Sequence, residues 1–337
     1  MLANAGLKPE LTTSAEAGAE VQLFGDRVSL DASWYDKRTR NQILRLVVSS
    51  ASGYTSRTIN AGEIRNRGAE AAVTVVPVDR GDGFRWSSTI NFGLNRGKVV
   101  SLTPGLSTVV LGSERSANIE AREGERYGVI FGNTFLRDPS GSLLLRNGLA
   151  QIGPRKVLGN INPDWTGGWS NQLRWRRLTL HALVDIRHGG EIFSNTNMMC
   201  DQSGACANTL RGREQDWDKP GIVAAGIDQA TGKPNTVNVT SEQWFQGLWL
   251  INEAYVYDAG YVKLRELRLA YDLPARLAGR LYARNVNVSV LGRNLLTRKH
   301  VPNGDPEFAY STGNYQGIEF AQLPNNRSFG ISVQVTP

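Results

Sequence analysis

Residues 16–34 read EAGAEVQLFGDRVSLDASW, and apolar and polar side chains alternate through both halves of this segment. The first half places four apolar residues on one face of a strand: Ala17, Ala19, Val21 and Leu23. The second half does the same with Val28, Leu30, Ala32 and Trp34. Gly25-Asp26 lies between the halves and suits a tight hairpin turn. The segment therefore predicts two antiparallel strands, each with one apolar face and one polar face.

The same alternation returns along the rest of the chain, in segments of about ten residues, which is the length a tilted strand needs to cross a bilayer. The clearest segments are Trp86–Asn95, Trp169–Trp175, Leu178–Ile186, Leu267–Leu273, Val286–Val290 and Ser328–Val335. Their polar faces carry Glu, Asp, Arg and Gln, which a water-filled barrel lumen tolerates and a packed soluble core does not. We predict an all-β fold, an antiparallel transmembrane β-barrel.

The connections alternate in length as well. Short turns are predicted at Gly25-Asp26, Pro77–Gly83, Arg176-Arg177 and Pro274–Gly279. Long segments are predicted at Lys37–Arg57, Arg96–Thr166, Gly189–Ala259 and Leu296–Asn325. Outer-membrane barrels have short periplasmic turns and long extracellular loops. Residues 189–259 are therefore expected to form a long extracellular loop.

The strand count predicts a partial barrel. About nine strands are counted, or up to eleven if Gly124–Leu136 holds another hairpin. Bacterial single-chain barrels usually have an even number of strands and must close in lipid. The first residues also lack the charged and apolar regions of a signal peptide. The expectation is a piece of a larger barrel, with earlier strands and an export signal elsewhere.

Composition narrows the class of protein. The 337 residues include 36 Gly, and the net charge is +7, but the Arg residues are spread through the strands without a nucleic-acid-binding motif. Nucleic acid is therefore not expected as a partner. A run of about 18 apolar residues, as a transmembrane helix requires, does not occur.

Several motifs, in order along nearly all of the chain, resemble the SusC/RagA family of TonB-linked outer-membrane proteins. The most specific is Asn60-Ala61-Gly62-Glu63-Ile64-Arg65-Asn66-Arg67-Gly68-Ala69-Glu70, which is similar to the family's Asn-x-Gly-x-x-x-Asn-x-Gly-x-Glu. Others are Asn162–Gly168, Arg187–Gly190, Ala259–Glu266, Gly304–Glu307 and Pro324–Phe329. One departure is the ending Val335-Thr336-Pro337, where the family usually has an aromatic residue.

The resemblance implies that residues 1–337 are the C-terminal part of a TonB-dependent receptor barrel, without the plug domain and the N-terminal strands. It implies the outer membrane of a Gram-negative bacterium, contact with membrane lipid, and import of oligosaccharides or peptides. The implied partners are a SusD-like surface lipoprotein and the TonB system, the latter through N-terminal regions. Such a piece is not expected to function alone. The alternative is a secreted, soluble, β-rich carbohydrate-binding module.

Aromatic residues in the 189–259 loop are the candidates for substrate binding, because exposed rings stack on sugars and peptides. The candidates are Trp217, Trp244, Trp249 and Tyr255. Packing within the loop, or contact with a partner subunit, is the alternative for the same residues. Trp34, Trp86 and Trp169 are assigned instead to the aromatic girdles of the barrel.

The remaining reactive residues predict no catalytic, metal or cofactor site. Cys200 and Cys206 can close a small disulfide loop in an oxidising compartment, and a lone pair cannot supply four zinc ligands. His181, His188 and His300 are predicted to lie on different elements. Asp305-Pro306-Glu307 and Asp216-Trp217-Asp218 lack calcium-loop spacing, so their carboxylates are expected to rigidify loops. The chain is not expected to be an enzyme.

Overall fold

The structure is a computed structural model that describes residues 4–47, 51, 53–309, 313 and 316–337. Its strands, in chain order, are β1 Leu11–Leu23, β2 Val28–Arg40, β3 Ile43–Val47, β4 Ser56–Asn60, β5 Gly62–Asp79, β6 Phe84–Leu102, β7 Thr108–Glu114, β8 Ala117–Arg122, β9 Val129–Phe135, β10 Leu144–Arg146, β11 Leu149–Ala150, β12 Ile152–Asn160, β13 Trp165–Trp175, β14 Leu178–His188, β15 Glu191–Ser194, β16 Ile222–Val223, β17 Ile227–Asp228, β18 Asn238–Val239, β19 Val256–Asp258, β20 Tyr261–Asp272, β21 Asn285–Lys299, β22 Ile318–Glu319 and β23 Ser328–Thr336.

Helices are few and short. They are α1 Asn195–Ser203, α2 Ser241–Gly247, α3 Ala275–Arg280 and the 3₁₀ turns Ala207–Leu210 and Asn252–Tyr255. In the described part of the chain, no helix combines the length and the apolar character needed to span a membrane.

One antiparallel sheet of nine strands dominates the molecule, in the order β1-β2-β5-β6-β13-β14-β20-β21-β23. Each strand pairs with the next long strand along the chain, as in an up-and-down barrel wall. Among the described residues, β1 and β23 each pair on one side only, so the sheet is open. The prediction of a partial antiparallel barrel with about nine strands is confirmed.

Because apolar and polar residues alternate in the sequence, the sheet has two different faces. One row of directly opposed residues crosses eight strands: Val21, Leu30, Val73, Ile90, Trp169, Val184, Leu264 and Leu296. The neighbouring row, displaced by one residue along each strand, is Glu20, Asp31, Ala72, Asn91, Gly168, Asp185, Lys263 and Thr297. We call the side of the first row the apolar face and the side of the second the polar face.

Two Trp indoles accommodate polar residues on the apolar face. Asn171, which interrupts the apolar alternation of its strand, accepts a hydrogen bond from Trp86 Nε1 at 3.2 Å. Trp169 Nε1 donates to Ser88 Oγ at 2.9 Å in the same way. These two polar side chains are thus paired within the sheet, as an apolar environment requires.

Short and long connections leave opposite ends of the sheet. Residues 24–27, 80–83, 176–177 and 273–284 form the short ones, and we call their side the turn end. Phe24, Gly25 and Asp26 all have positive φ angles, which suits the tight first turn. The predicted turn at Pro274–Gly279 is longer than expected, since α3 occupies it. At the opposite, loop end, the connections are residues 41–61, 103–164, 189–260 and 300–327.

The predicted loop bounds need correction where strands run on past the apolar alternation. β2 continues to Arg40, and β6 continues to Leu102, so the segments beginning at Lys37 and Arg96 start as strand. Residues Gly124–Leu136 do contain a strand, β9, but it joins the separate sheet β12-β9-β8-β7 instead of the barrel wall. It therefore adds nothing to the nine strands.

The last three long connections form what we call the loop layer, which has its own hydrophobic core. Fully buried side chains from distant parts of the sequence meet there, among them Ile119, Ile130, Leu145, Phe193 and Ile318. A smaller core joins the β3–β4 hairpin to the loop end of β6, through Leu44 and Val99. Buried apolar residues thus concentrate at the loop end of the sheet.

Candidate functional site

The polar face of the sheet carries a broad depression of about 480 Å³. Its charged lining residues are Asp31, Glu70 and Asp185, and its small ones include Gly93 and Gly168. Glycine keeps the floor of this depression open, because a strand position without a side chain leaves the backbone accessible. The charged side chains of this lining are all carboxylates.

A β-bulge in β20 builds the most charged part of this face. The register shifts between Leu264 and Glu266 in the pairing with β21, and between Leu183 and Val184 in the pairing with β14. Arg265 is the extra residue opposite β14, whereas opposite β21 the extra residue lies in β21, where Asn294 and Leu295 face Arg265 alone. Arg265 lies two residues from Lys263 and shares the polar face with it by ordinary strand alternation. The extra residue changes the phase of the strand, so that Glu266, opposite Leu183 and beside His181, lies on this face as well.

Lys263 and Arg265 hold a carboxylate-bearing loop against the sheet. Lys263 Nζ lies 2.6 Å from Asp305 Oδ1 and 2.5 Å from Glu307 Oε2. Arg265 forms a two-point contact with Glu307, with Nη1 2.7 Å from Oε2 and Nη2 on Oε1. The other side of Arg265 reaches Asp185 in β14, at 2.6 Å from Nη2 and 2.9 Å from Nε. We call these five residues the charge network.

Neutral donors complete the charge network. The Tyr261 hydroxyl donates to Asp185 at 3.2 Å or to Glu307 at 3.3 Å, and Asn325 Nδ2 donates to Glu307 at 3.0 Å. The side chain of Lys263 is 1% exposed and that of Asp305 is 7% exposed. Burial alone raises the pKa of Glu307, but the hydrogen bonds from Arg265 and Lys263 outweigh it, so its pKa falls to about 2.

The four aromatic candidates in the 189–260 connection lie in different environments. Trp217 is exposed at 82%, whereas Tyr255 is 1% exposed and sits inside the loop-layer core. Trp244 and Trp249 are partly buried against that core, and the Arg115 guanidinium lies 5.3 Å from the Trp249 ring. Ligand contact by these residues stays a prediction, and exposure puts Trp217 first among them.

Cys200 and Cys206 are joined by a disulfide, with their Cα atoms 5.2 Å apart. It closes the loop that links the end of α1 to the following 3₁₀ turn. Asn303, from the β21–β23 connection, donates a hydrogen bond to Cys206 Sγ at 3.2 Å. The disulfide thus lies where two connections of the loop layer meet.

Buried acid and phenol groups surround this contact. Burial raises the pKa of Asp201, although a hydrogen bond from Asn208 opposes the change. Burial, followed by the nearby Asp201 charge, raises the pKa of Tyr257 to about 12, and the same two causes raise that of Tyr255 further. Both phenols are therefore neutral at physiological pH and act as packing groups of the loop-layer core.

The three histidines occupy separate places. His181 lies on the polar face, 3.1 Å from Ser170 Oγ. His188 stacks on Trp165 with ring centroids 5.2 Å apart, and His300 lies 3.9 Å from Asp258. In the described residues, no group of three or more His, Cys, Asp or Glu side chains is placed to hold a metal ion.

The charge network is the feature that sequence reasoning missed. Lys263 and Arg265 lie in one family-like motif, Ala259–Glu266, and Asp305 and Glu307 in another, Gly304–Glu307. Their contact spans about 42 residues of sequence. The available signal was a Lys-x-Arg pair that interrupts an apolar alternation. Two cations that are two residues apart in a strand point to the same face, and charged side chains favour the face toward the lumen.

This geometry defines the wall of a transmembrane-type β-barrel, polar inside and capped by a folded loop layer. The sequence profile described as TonB dependent receptor-like, beta-barrel matches residues 1–295. The chain belongs to this family. The predicted resemblance to TonB-dependent receptor barrels is confirmed.

Among characterised relatives, the chain is similar to TonB-dependent receptor P3 of Formosa agariphila, with 27% identity covering 99% of the chain and 35% of the relative. TonB-dependent receptor P26 of the same organism matches with the same identity and coverage. The chain therefore spans about a third of the length of these relatives.

Among solved structures, the chain resembles in fold the RagAB peptide transporter, with a TM-score of 0.74 and 18% identity over 99% of this chain and 36% of that one. The RagAB peptide importer in its open-open state gives a TM-score of 0.71 over 35% of its chain.

Proposed function

We propose that this chain contributes wall strands and loops to a TonB-dependent outer-membrane transporter that imports nutrients such as oligosaccharides or peptides. The observation that carries the proposal is the pair of rows across the sheet, apolar on one face and polar on the other. The apolar face suits lipid, and the polar face suits a solvated passage. Family membership supplies the class of transporter.

The loop end faces the outside of the cell in this proposal, and residues 189–259 are an extracellular loop. Long connections at one end and short ones at the other support this orientation. The charge network anchors the loop that carries Asp305 and Glu307 over the polar face. Trp217, exposed on the loop layer, is the first candidate for substrate contact, followed by Trp244, Trp249 and Tyr255.

Transport needs more than these strands. The open sheet and the coverage of about a third of the relatives support a chain that works as part of a larger transporter. The plug domain, the TonB contact and the other strands would come from the N-terminal regions of that transporter. A SusD-like surface lipoprotein is the proposed partner on the loop side.

Cell fractionation tests the location. We expect the chain, expressed in its parent protein, to sediment with outer membranes, to resist alkaline washing and to require detergent for extraction. Recovery as a soluble secreted monomer without detergent would support the carbohydrate-binding module instead.

Uptake measurements test the function. Cells in which the coding region for this chain is deleted should lose uptake of one labelled class, oligosaccharides or peptides. Restoring the region should restore uptake, and the class that is lost identifies the substrate. Unchanged uptake of every class tested would contradict the transport proposal.

A further inference from the structure

The apolar face ends abruptly at the loop end of β2, β5 and β6. Its last apolar row there is Trp34, Ala69 and Leu94, which pair directly across the three strands. The next two rows on the same side contain five cations and one carboxylate, and Arg40 follows on β2 beyond them. We call the cations of this region the basic band: Arg38, Arg40, Arg65, Arg67, Arg96 and Lys98.

The side chains of the basic band point away from the polar face. Neighbouring positions of opposite parity face the other way, since Gly68 lies against Tyr35 and Gly97 against Asn66 and Tyr127. Arg67 is 55% exposed and Arg38 is 45% exposed. The basic band therefore continues the outward surface on which Trp34 lies.

Like charges oppose one another directly in this band. Arg65 lies between Arg38 and Lys98 in one row, and Arg67 is opposite Arg96 in the next. Like charges in direct cross-strand register destabilise a sheet. An anion bound over these rows would relieve that repulsion.

The carboxylates nearby neutralise only part of the charge. Asp36 binds Arg65 and Arg67, with 2.8 Å from Arg65 Nε and 3.1 Å from Arg67 Nε. Glu63 lies 3.4 Å from Arg40 and 3.9 Å from Arg38. Six cations against these two carboxylates leave an excess of four positive charges.

Arg96 and Lys98 contribute exposed charge to that excess. Both are exposed, and neither forms an ion pair with a described residue. They lie in β6, in the two rows that follow Leu94. This is the depth at which a strand leaves hydrocarbon for headgroups if the apolar face contacts lipid.

We propose that the basic band binds the phosphate headgroups of anionic membrane lipid on the loop side of the bilayer. The inference rests on the proposed function, since it needs the apolar face to sit in a bilayer. Guanidinium groups suit phosphate because their paired N–H donors match two phosphate oxygens. Trp34 would lie at the boundary beneath the headgroups, where amphipathic rings are favoured.

The test compares two double variants that remove the same charge from opposite ends of the sheet. Arg96→Gln with Lys98→Gln alters the basic band, and Arg276→Gln with Arg280→Gln alters exposed cations on α3 at the turn end. The full chain, within its parent transporter, is purified in detergent and transferred to vesicles of phosphatidylcholine, with or without phosphatidic acid. Binding is measured by flotation, and β-sheet content by circular dichroism.

We expect the unaltered chain to bind vesicles containing phosphatidic acid several-fold more tightly, with the preference shrinking as salt rises. The basic-band variant should lose most of this preference, and the α3 variant should keep it. An equal preference in both variants overturns the inference, as does removal of the preference by inorganic phosphate at low millimolar concentration, which would indicate a site for the free anion.

Failure of the inference differs from failure of the proposed function. Insertion into both kinds of vesicle without any preference contradicts the basic band alone. A folded chain that floats with neither kind of vesicle contradicts the lipid-facing role of the apolar face, and the inference fails with it.

Discussion

The nine-stranded sheet and the loop layer differ in where their apolar side chains lie. In the loop layer, apolar side chains such as Ile119 and Ile130 are fully buried against one another. In the sheet, apolar side chains such as Ile90, Trp169 and Ile331 are exposed at 54%, 45% and 77%. The loop layer buries its apolar side chains within itself, as a small soluble domain does. The sheet instead leaves its apolar face exposed to whatever lies outside the chain. The same types of residue therefore have different energetic roles in the two regions.

The charge network joins these regions, and breaking it should give the largest effect. Lys263→Met leaves the buried Asp305 and the partly buried Glu307 with one cation fewer. Removing one partner of a buried ion pair costs about 3–5 kcal/mol. We expect a loss of that size in the free energy of unfolding, measured by urea titration in detergent.

An exposed ion pair of the same sheet gives the control for Lys263→Met. Arg293 lies 3.2 Å from Glu266 and is 60% exposed, so Arg293→Met should cost about 1 kcal/mol or less. Equal losses in the two variants would mean that the charge network does not attach the loop to the sheet.

Replacing one isoleucine in each region compares the contributions of apolar side chains to stability in the loop layer and in the sheet. Ile130→Ala, in the loop-layer core, should lower the free energy of unfolding by about 2–5 kcal/mol, because the cavity cannot fill. Ile331→Ala, on the apolar face of β23, should change it by about 0.5 kcal/mol or less in detergent. Chemical unfolding of both variants gives the values, and a larger cost for Ile331→Ala would reverse the account.

The disulfide should matter to the loop layer alone. Replacing both Cys200 and Cys206 by Ser removes the closure of a short loop, which we expect to cost roughly 2 kcal/mol. Proteolysis of the 189–260 connection should become faster while the β-sheet circular dichroism signal stays. The unaltered chain in reductant is the control, and it should match the variant.

Acid should weaken the charge network only at low pH, so this prediction has the smallest effect on the protein near neutral pH. The pKa of Glu307 is lowered to about 2 from an ordinary value near 4.5. The stabilisation is therefore complete above about pH 4.5 and is lost as the pH falls through about 2. Hydrogen exchange of residues 300–309, taken relative to the intrinsic exchange rate at each pH, should rise in that window, and such a rise already near pH 6 would contradict the proposed pairing.

The sheet was predictable from sequence because strand alternation is a local signal. Residues 16–34 alone contain both faces and the turn between them, and the register of β1 with β2 follows from that turn. The loop layer was not predictable, because Leu145, Ile222 and Ile318 meet only in three dimensions. The bulge at Arg265 shifts the apolar face of β20 from even positions such as Leu264 to odd ones such as Leu267, and the charged residues between them conceal the point at which the alternation changes phase.

The most direct test of the two faces uses adjacent residues of β6. The native cysteines are joined to each other, so Ile90→Cys and Asn91→Cys each provide a single reactive thiol. The chain carrying either substitution is placed in lipid bilayers, and its reaction with a membrane-impermeant maleimide is followed. We predict that Asn91→Cys reacts quickly and that Ile90→Cys is protected by lipid. Equal rates, or faster reaction at position 90, would contradict the assignment of the apolar face to lipid and the polar face to water.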